Sequence, residues 1–228
     1  MAKDKKATGD MSKKEKARQL NEPPRLTVLE EMGNAVTHGV GALMSVAGLV
    51  LLLLTSDTPR KVMASCFFGI SMILMFLMSC LYHCWRSGST VKRLWRRFDY
   101  SGIYLLIGGT YAPILLVYWR HPAGIWVFWA QWAVIAAGIT LNAVFGPGRL
   151  QKLNMTLYFV VGWLALGFLP GMLKGNFPLF CFILGGGVVY TAGMIPFARD
   201  FNGAHFLWHF FVLAGAMVHW AGIYFYLY

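Results

Sequence analysis

The chain has 228 residues, of which 57% are hydrophobic and 13% charged, whereas a soluble domain carries roughly 25% charged residues. Long apolar runs make the difference and exclude an ordinary soluble domain. The net charge of +11 does not signal nucleic acid, because its distribution along the chain follows the apolar runs as a topology signal does.

Residues 1–28 are Lys-rich with interspersed acids, which predicts a disordered or interfacial tail. They show no signal-peptide pattern, so the first apolar run is expected to remain as an anchor. Residues 29–228 then form one domain. Seven runs approach the length of about 20 residues that crosses a hydrocarbon core, at 34–54, 62–83, 100–118, 122–144, 154–173, 177–197 and 205–227. Runs of this length argue for helices rather than barrel strands. The expected fold is all-α, an integral membrane bundle of seven transmembrane helices.

Lys and Arg number 8 before the first span, 5 between the second and third, 2 between the fourth and fifth and 1 between the sixth and seventh. The other face receives 2, 1 and 1. The positive-inside rule therefore places the N-terminus in the cytoplasm and the C-terminus outside. Lys92, with Arg86, Arg93, Arg96 and Arg97, reads as a topology determinant in contact with anionic headgroups.

Within the spans, Pro113, Pro170 and Pro196 predict kinks. Gly167 and Gly171, and the run Gly185, Gly186 and Gly187, predict close helix approach. Trp and Tyr at span ends, such as Trp85, Trp119, Trp126 and Tyr226, read as interfacial belts. Cys80 and Cys84 flank His83 at a spacing that permits joint metal ligation, but with Cys66 and Cys181 they read first as small packing residues.

Ionisable groups inside a bilayer are costly and mark functional sites. With the N-terminus inside, Glu31, Asn34 and His38 lie at the cytoplasmic start of span one, and Ser79 and His83 at the cytoplasmic end of span two. Asp99 opens span three, and His205 and His209 open span seven. All fall at one depth. His205 and His209 stand four residues apart, on one helix face. With His83 they supply three imidazoles, a set that suits Zn²⁺ and leaves a fourth position open to water. Soft metals would prefer thiols, and Mg²⁺ or Ca²⁺ more carboxylates. Asp99 is placed to orient that water and accept its proton. Ser79, one turn before His83, would hold its ring or the water. His38 is either a fourth ligand or a helix-bridging residue, and Glu31 either a first-turn acid or part of the site. His121 reads as an interfacial loop residue. His219 lies 14 residues after His205, roughly 21 Å along a helix, too far to share the metal, and is expected to make an internal hydrogen bond.

These motifs resemble the hemolysin III family of bacterial membrane proteins, within the progestin and adipoQ receptor (PAQR) superfamily. The matching segments run from Glu30-Glu31 to His38-Gly39, Ser79 to His83, Phe98-Asp99-Tyr100 to Pro113, Gly186 to Tyr190, and His205 to His209. The resemblance implies seven transmembrane helices with the N-terminus inside. It also implies zinc on His83, His205 and His209, with Asp99 hydrogen-bonded to the zinc water. Adiponectin receptors of the superfamily are associated with ceramide hydrolysis, and bacterial members with haemolysis and with lipid or membrane-energy homeostasis. One departure is Tyr100, where many bacterial relatives carry His. The long N-terminal extensions of the animal receptors are absent, so no peptide hormone is expected.

The expected function is therefore a zinc-dependent hydrolase of a lipid amide or ester at the cytoplasmic side of a bacterial plasma membrane. Membrane lipids are the expected partners. A non-enzymatic sensor of lipid or membrane state with structural zinc is the alternative. A pore former stands further off, because no polar file crosses the bundle. A retinal protein is disfavoured, since span seven contains no lysine.

Overall fold

Helix starts are set by side chains that accept the free amide hydrogens of a first turn. A computed structural model of the chain describes residues 12–119, 121–199 and 201–228, and all regular structure among them is helical. Ser12 opens α1 (Lys13–Leu20) and Thr27 opens α2 (Val28–Leu54), each in a capping box closed by the glutamate three residues on, Glu15 or Glu30. Thr58 and Ser89 cap α3 (Pro59–Cys84) and α4 (Thr90–Pro113). The chain continues through α5 (Ala123–Phe145), α6 (Gln151–Gly162), α7 (Leu169–Gly175), α8 (Phe177–Ala198) and α9 (Ala204–Tyr226).

Among the described residues, six helices are long and apolar enough to cross a membrane: α2, α3, α4 with its continuation to Tyr118, α5, α8 and α9. The bent pair of α6 and α7 makes a seventh if counted as one span. Large apolar side chains such as Leu43, Leu54 and Trp126 stay exposed on the outer faces, each at 74% or more. Lipid is as apolar as they are and gives no drive to bury them.

Two helices begin well before their apolar runs do. α2 starts at Val28 rather than 34, and α4 at Thr90 rather than 100, because capping and backbone bonding continue a helix through residues that need no hydrocarbon around them. The fifth run is broken. α6 passes at Gly162 into a 3₁₀ turn, Trp163–Gly167, and α7 restarts about Pro170 at an angle of 40°. Proline has no amide hydrogen and fits only the first turn of a new helix. Gly162, Gly167 and Gly171 face open space, so the close approach expected across Gly167 and Gly171 does not occur. Gly186 does bring α8 against the His219 ring of α9, leaving no room for a Cβ. After Pro113 the backbone widens into a π-helical turn, Ile114–Tyr118.

Residues 12–28 of the expected tail contain α1 and a strap across one end of the bundle. Asn21 donates to the Phe145 carbonyl (2.9 Å) and accepts from the Gly148 amide (3.0 Å). Arg96 donates to the Glu22 carbonyl (3.1 Å), and Arg93 pairs with the Glu22 carboxylate (3.3 Å). The tail expected over residues 1–11 lies outside the described residues.

The packing that matters for function is between α3 and α4. A Cβ on Gly102 would meet the Met75 backbone at 3.0 Å, and one on Gly109 would meet Ser71 at 2.5 Å. Two glycines seven residues apart, on one face of α4, thus let the two helices pack backbone to backbone. Buried Phe68, Met72, Met75 and Phe76 of α3 then meet Val212 and Ala216 of α9 in one apolar core. On the other side, Tyr104 donates to Asn154 (2.9 Å), which donates to Asn142 (2.9 Å), joining α4, α6 and α5.

Candidate metal centre

The site is assembled at helix ends. Glu30 closes the cap of α2 and also accepts from the Gly203 amide (2.7 Å), immediately before α9. Gly203 holds φ +83°, a left-handed conformation that glycine adopts without a steric cost. This pins the first turn of α9, with His205, beside the first turn of α2. His83 is the last residue but one of α3.

The three imidazoles expected to be ligands come together. His205 Nε2 lies 3.3 Å from His83 Nε2 and 3.3 Å from His209 Nε2. The ligand atoms of all three lie within 4.8 Å of one another. His83 and His209 are buried, and His205 is partly so. Nitrogens bound to one tetrahedral zinc at about 2.0–2.1 Å stand about 3.3–3.4 Å apart. Two of the three sides of the triangle match that spacing, so the residues present fit a metal ion. No cysteine joins the cluster among the described residues. Cys80 packs toward Gly39 of α2, with its sulfur 3.3 Å from where a Cβ would stand.

The opposite edge of the His83 ring is held by other groups. Glu31 Oε2 lies 2.7 Å from His83 Nδ1, so Nδ1–H donates to the carboxylate and the Nε2 lone pair is left facing the cluster. The amide of Asn34 lies 3.5 Å from the same Nδ1. His38 stacks on His209 with ring centroids 3.7 Å apart and donates from Nε2 toward the His209 carbonyl (3.4 Å). His38 therefore ties α2 to α9 and stands outside the group of converging ligand atoms.

Ser79 is buried one turn before His83 and reaches the Asp99 carboxyl of α4, whose other close charges are His83, Arg96 and Lys92. Asp99 stands three residues before Gly102, one of the two points where α4 packs tightly on α3. His219 donates from Nε2 to the Ile183 carbonyl (3.0 Å), the internal bond its position implied. His121 stays in its loop, where Nδ1 accepts from the Ala123 amide (3.1 Å).

Lys92 belongs to the site and was hidden among the topology charges. It is fully buried, and its Nζ donates to Glu31 Oε1 (2.7 Å), the Trp85 carbonyl (3.1 Å) and the Tyr82 carbonyl (3.3 Å). The signal for it is its spacing. Lys92, Arg96 and Asp99 stand at i, i+4 and i+7 and so share one face of α4.

A family model described as "Haemolysin-III related" matches residues 26–220. The chain is 35% identical to "Hemolysin-3" of Bacillus cereus over 209 residues, covering 88% of this chain and 93% of that protein. It is 33% identical to "Hemolysin-3 homolog" of Bacillus subtilis (strain 168), covering 83% and 91%. "Monocyte to macrophage differentiation factor" of Homo sapiens is 27% identical, covering 89% and 86%, which fits the wider PAQR superfamily.

Proposed function

The chain belongs to the haemolysin-III-related family of multi-pass membrane proteins, and on that premise we propose that it is a zinc-dependent hydrolase of a lipid amide or ester. The observation that carries this reading is the convergence of three Nε2 atoms with Ser79 and Asp99 beside them. Zinc, when bound, would supply Lewis acidity at the scissile carbonyl. His83, His205 and His209 would hold it, and Glu31 fixes the His83 ring. Asp99 takes a proton from the attacking water as its oxygen bonds to the carbonyl carbon. It returns that proton to the leaving nitrogen or oxygen as the old bond breaks. Ser79 holds the carboxylate in place by its hydroxyl.

An apolar cleft of about 120 Å³ supports a lipid as substrate by the character of its walls. It lies among α4, α6, α8 and α9, lined by Ile107, Tyr111, Tyr158, Phe159, Trp163 and Trp208. Its walls are the apolar and aromatic kind that take an acyl chain. The 16-to-4 split of basic residues between the two faces supports a cytoplasmic N-terminus, an external C-terminus, and a site that opens to the cytoplasmic side of a bacterial plasma membrane.

A second reading, structural zinc in a non-enzymatic sensor, is favoured by one observation. The cluster joins the end of α3 to the start of α9, while α9 packs mainly on α8 and α2. The purified, zinc-loaded chain incubated with a panel of lipid amides and esters separates the two. Hydrolysis above a metal-free control is expected. Zinc-dependent thermal stability with no turnover of any lipid would replace the hydrolase by the sensor.

A further inference from the structure

We propose that Lys92 is a positioning residue for the metal centre, acting on His83 through Glu31 and through the end of α3. The inference rests on the metal-binding reading above. Lysine is almost never fully buried unless it is paired. Here the ammonium is buried and its three N–H groups have three acceptors, one carboxylate oxygen and two backbone carbonyls. It also lies 4.7 Å from the centroid of the Tyr82 ring.

The acceptors define what the ammonium does. Glu31 has two carboxylate oxygens, one on Lys92 and the other on His83 Nδ1, each at 2.7 Å. The lysine fixes the carboxylate plane, the carboxylate fixes the imidazole edge, and Nε2 is thereby turned toward His205 and His209. The two carbonyls belong to Tyr82 and Trp85, on either side of His83 in the chain. Carbonyls at a helix C-terminus have no amide of their own helix to accept from, and a cation there is favoured by the helix dipole. A single ammonium thus holds both the backbone that carries His83 and the group that orients its ring.

A lysine that only neutralised Glu31 would affect folding and leave the metal alone. A positioning lysine changes how the site binds metal in molecules that are folded. The experiment uses the full chain in detergent, with Zn²⁺ affinity from competition with a chromophoric chelator and the visible spectrum of the Co²⁺-substituted protein. Outer partners of a ligating histidine typically contribute 10–100-fold in metal affinity. Lys92→Met is therefore expected to weaken Zn²⁺ binding by about 10–100-fold and to shift the Co²⁺ bands. Lys92→Arg, which keeps the charge, should retain most of the affinity. Lys92→Met combined with Glu31→Gln should weaken binding by less than the two single changes multiplied together, since part of the lysine's effect runs through that carboxylate; fully multiplicative losses would overturn the route through Glu31. If Lys92→Met fails to fold, Lys92→Gln, which keeps a donor for the carbonyls without the charge, takes the same measurements. Wild-type affinity and an unshifted Co²⁺ spectrum in the folded variant would overturn the proposal alone. Failure of the wild-type chain to bind either metal would overturn the metal reading and this proposal with it.

Discussion

Replacing Asp99 by Asn separates proton transfer from metal holding. Asp99 faces Ser79 and the charges of His83, Arg96 and Lys92, but it is not one of the three residues whose ligand atoms converge. Asn keeps the volume and an acceptor for the Ser79 hydroxyl, and it takes up no proton. General acid–base catalysis contributes about 10²–10⁴-fold. The variant should therefore lose about 10²–10⁴ in kcat, or about 2.7–5.4 kcal/mol of barrier at about 1.36 kcal/mol per tenfold. Its zinc content should stay at that of the wild type. The assay is release of the amine or alcohol from a lipid substrate by zinc-loaded protein, with metal measured on the same sample. An Asp99→Asn chain that carries zinc and turns over at the wild-type rate refutes the proton-transfer role.

Other consequences concern stability and metal linkage. Tyr104→Phe removes the donor to Asn154, both groups being buried, and should cost about 1–3 kcal/mol; an unchanged unfolding midpoint would contradict the hydrogen-bond assignment. Gly186→Ala forces the His219 ring aside and should cost about 1–3 kcal/mol as an overpacked contact. Gly185→Ala meets only Val218 at 3.9 Å and should be tolerated, so equal effects of the two would refute the packing. Free metal at 100 times its Kd stabilises a site by about 2.7 kcal/mol. Chelation should therefore lower the melting temperature of the wild type and leave that of His205→Ala/His209→Ala unmoved.

Much of the site was legible because membrane burial makes polar residues informative. His83, His205, His209, Asp99 and Ser79 stood out against apolar neighbours, and counting basic residues aligned them at one depth. The structure brings these five together through contacts that no single run of sequence displays. Lys92 was harder to see. It lies in a segment with four arginines, where a cation is explained by topology alone, and only the i, i+4, i+7 relation to Arg96 and Asp99 marks it. His38 left two roles open because a histidine near three others fits ligation and stacking equally well; its Nε2 contact with the His209 carbonyl is a tertiary fact. The fifth span bends near Pro170, as its sequence predicts, but the extent of the break is not legible there. An apolar composition fixes membrane affinity but not straightness, and the break at Trp163–Gly167 follows from a local failure of hydrogen bonding near Pro170. Likewise, small residues at four-residue spacing permit close packing without requiring it, as the open surroundings of Gly167 and Gly171 show.

Metal analysis of the purified wild-type chain beside His205→Ala/His209→Ala tests the metal centre most directly. About one zinc per wild-type chain and none in the double variant is expected, since a site of three protein ligands would be left with one. Equal zinc content in the two proteins would contradict the account.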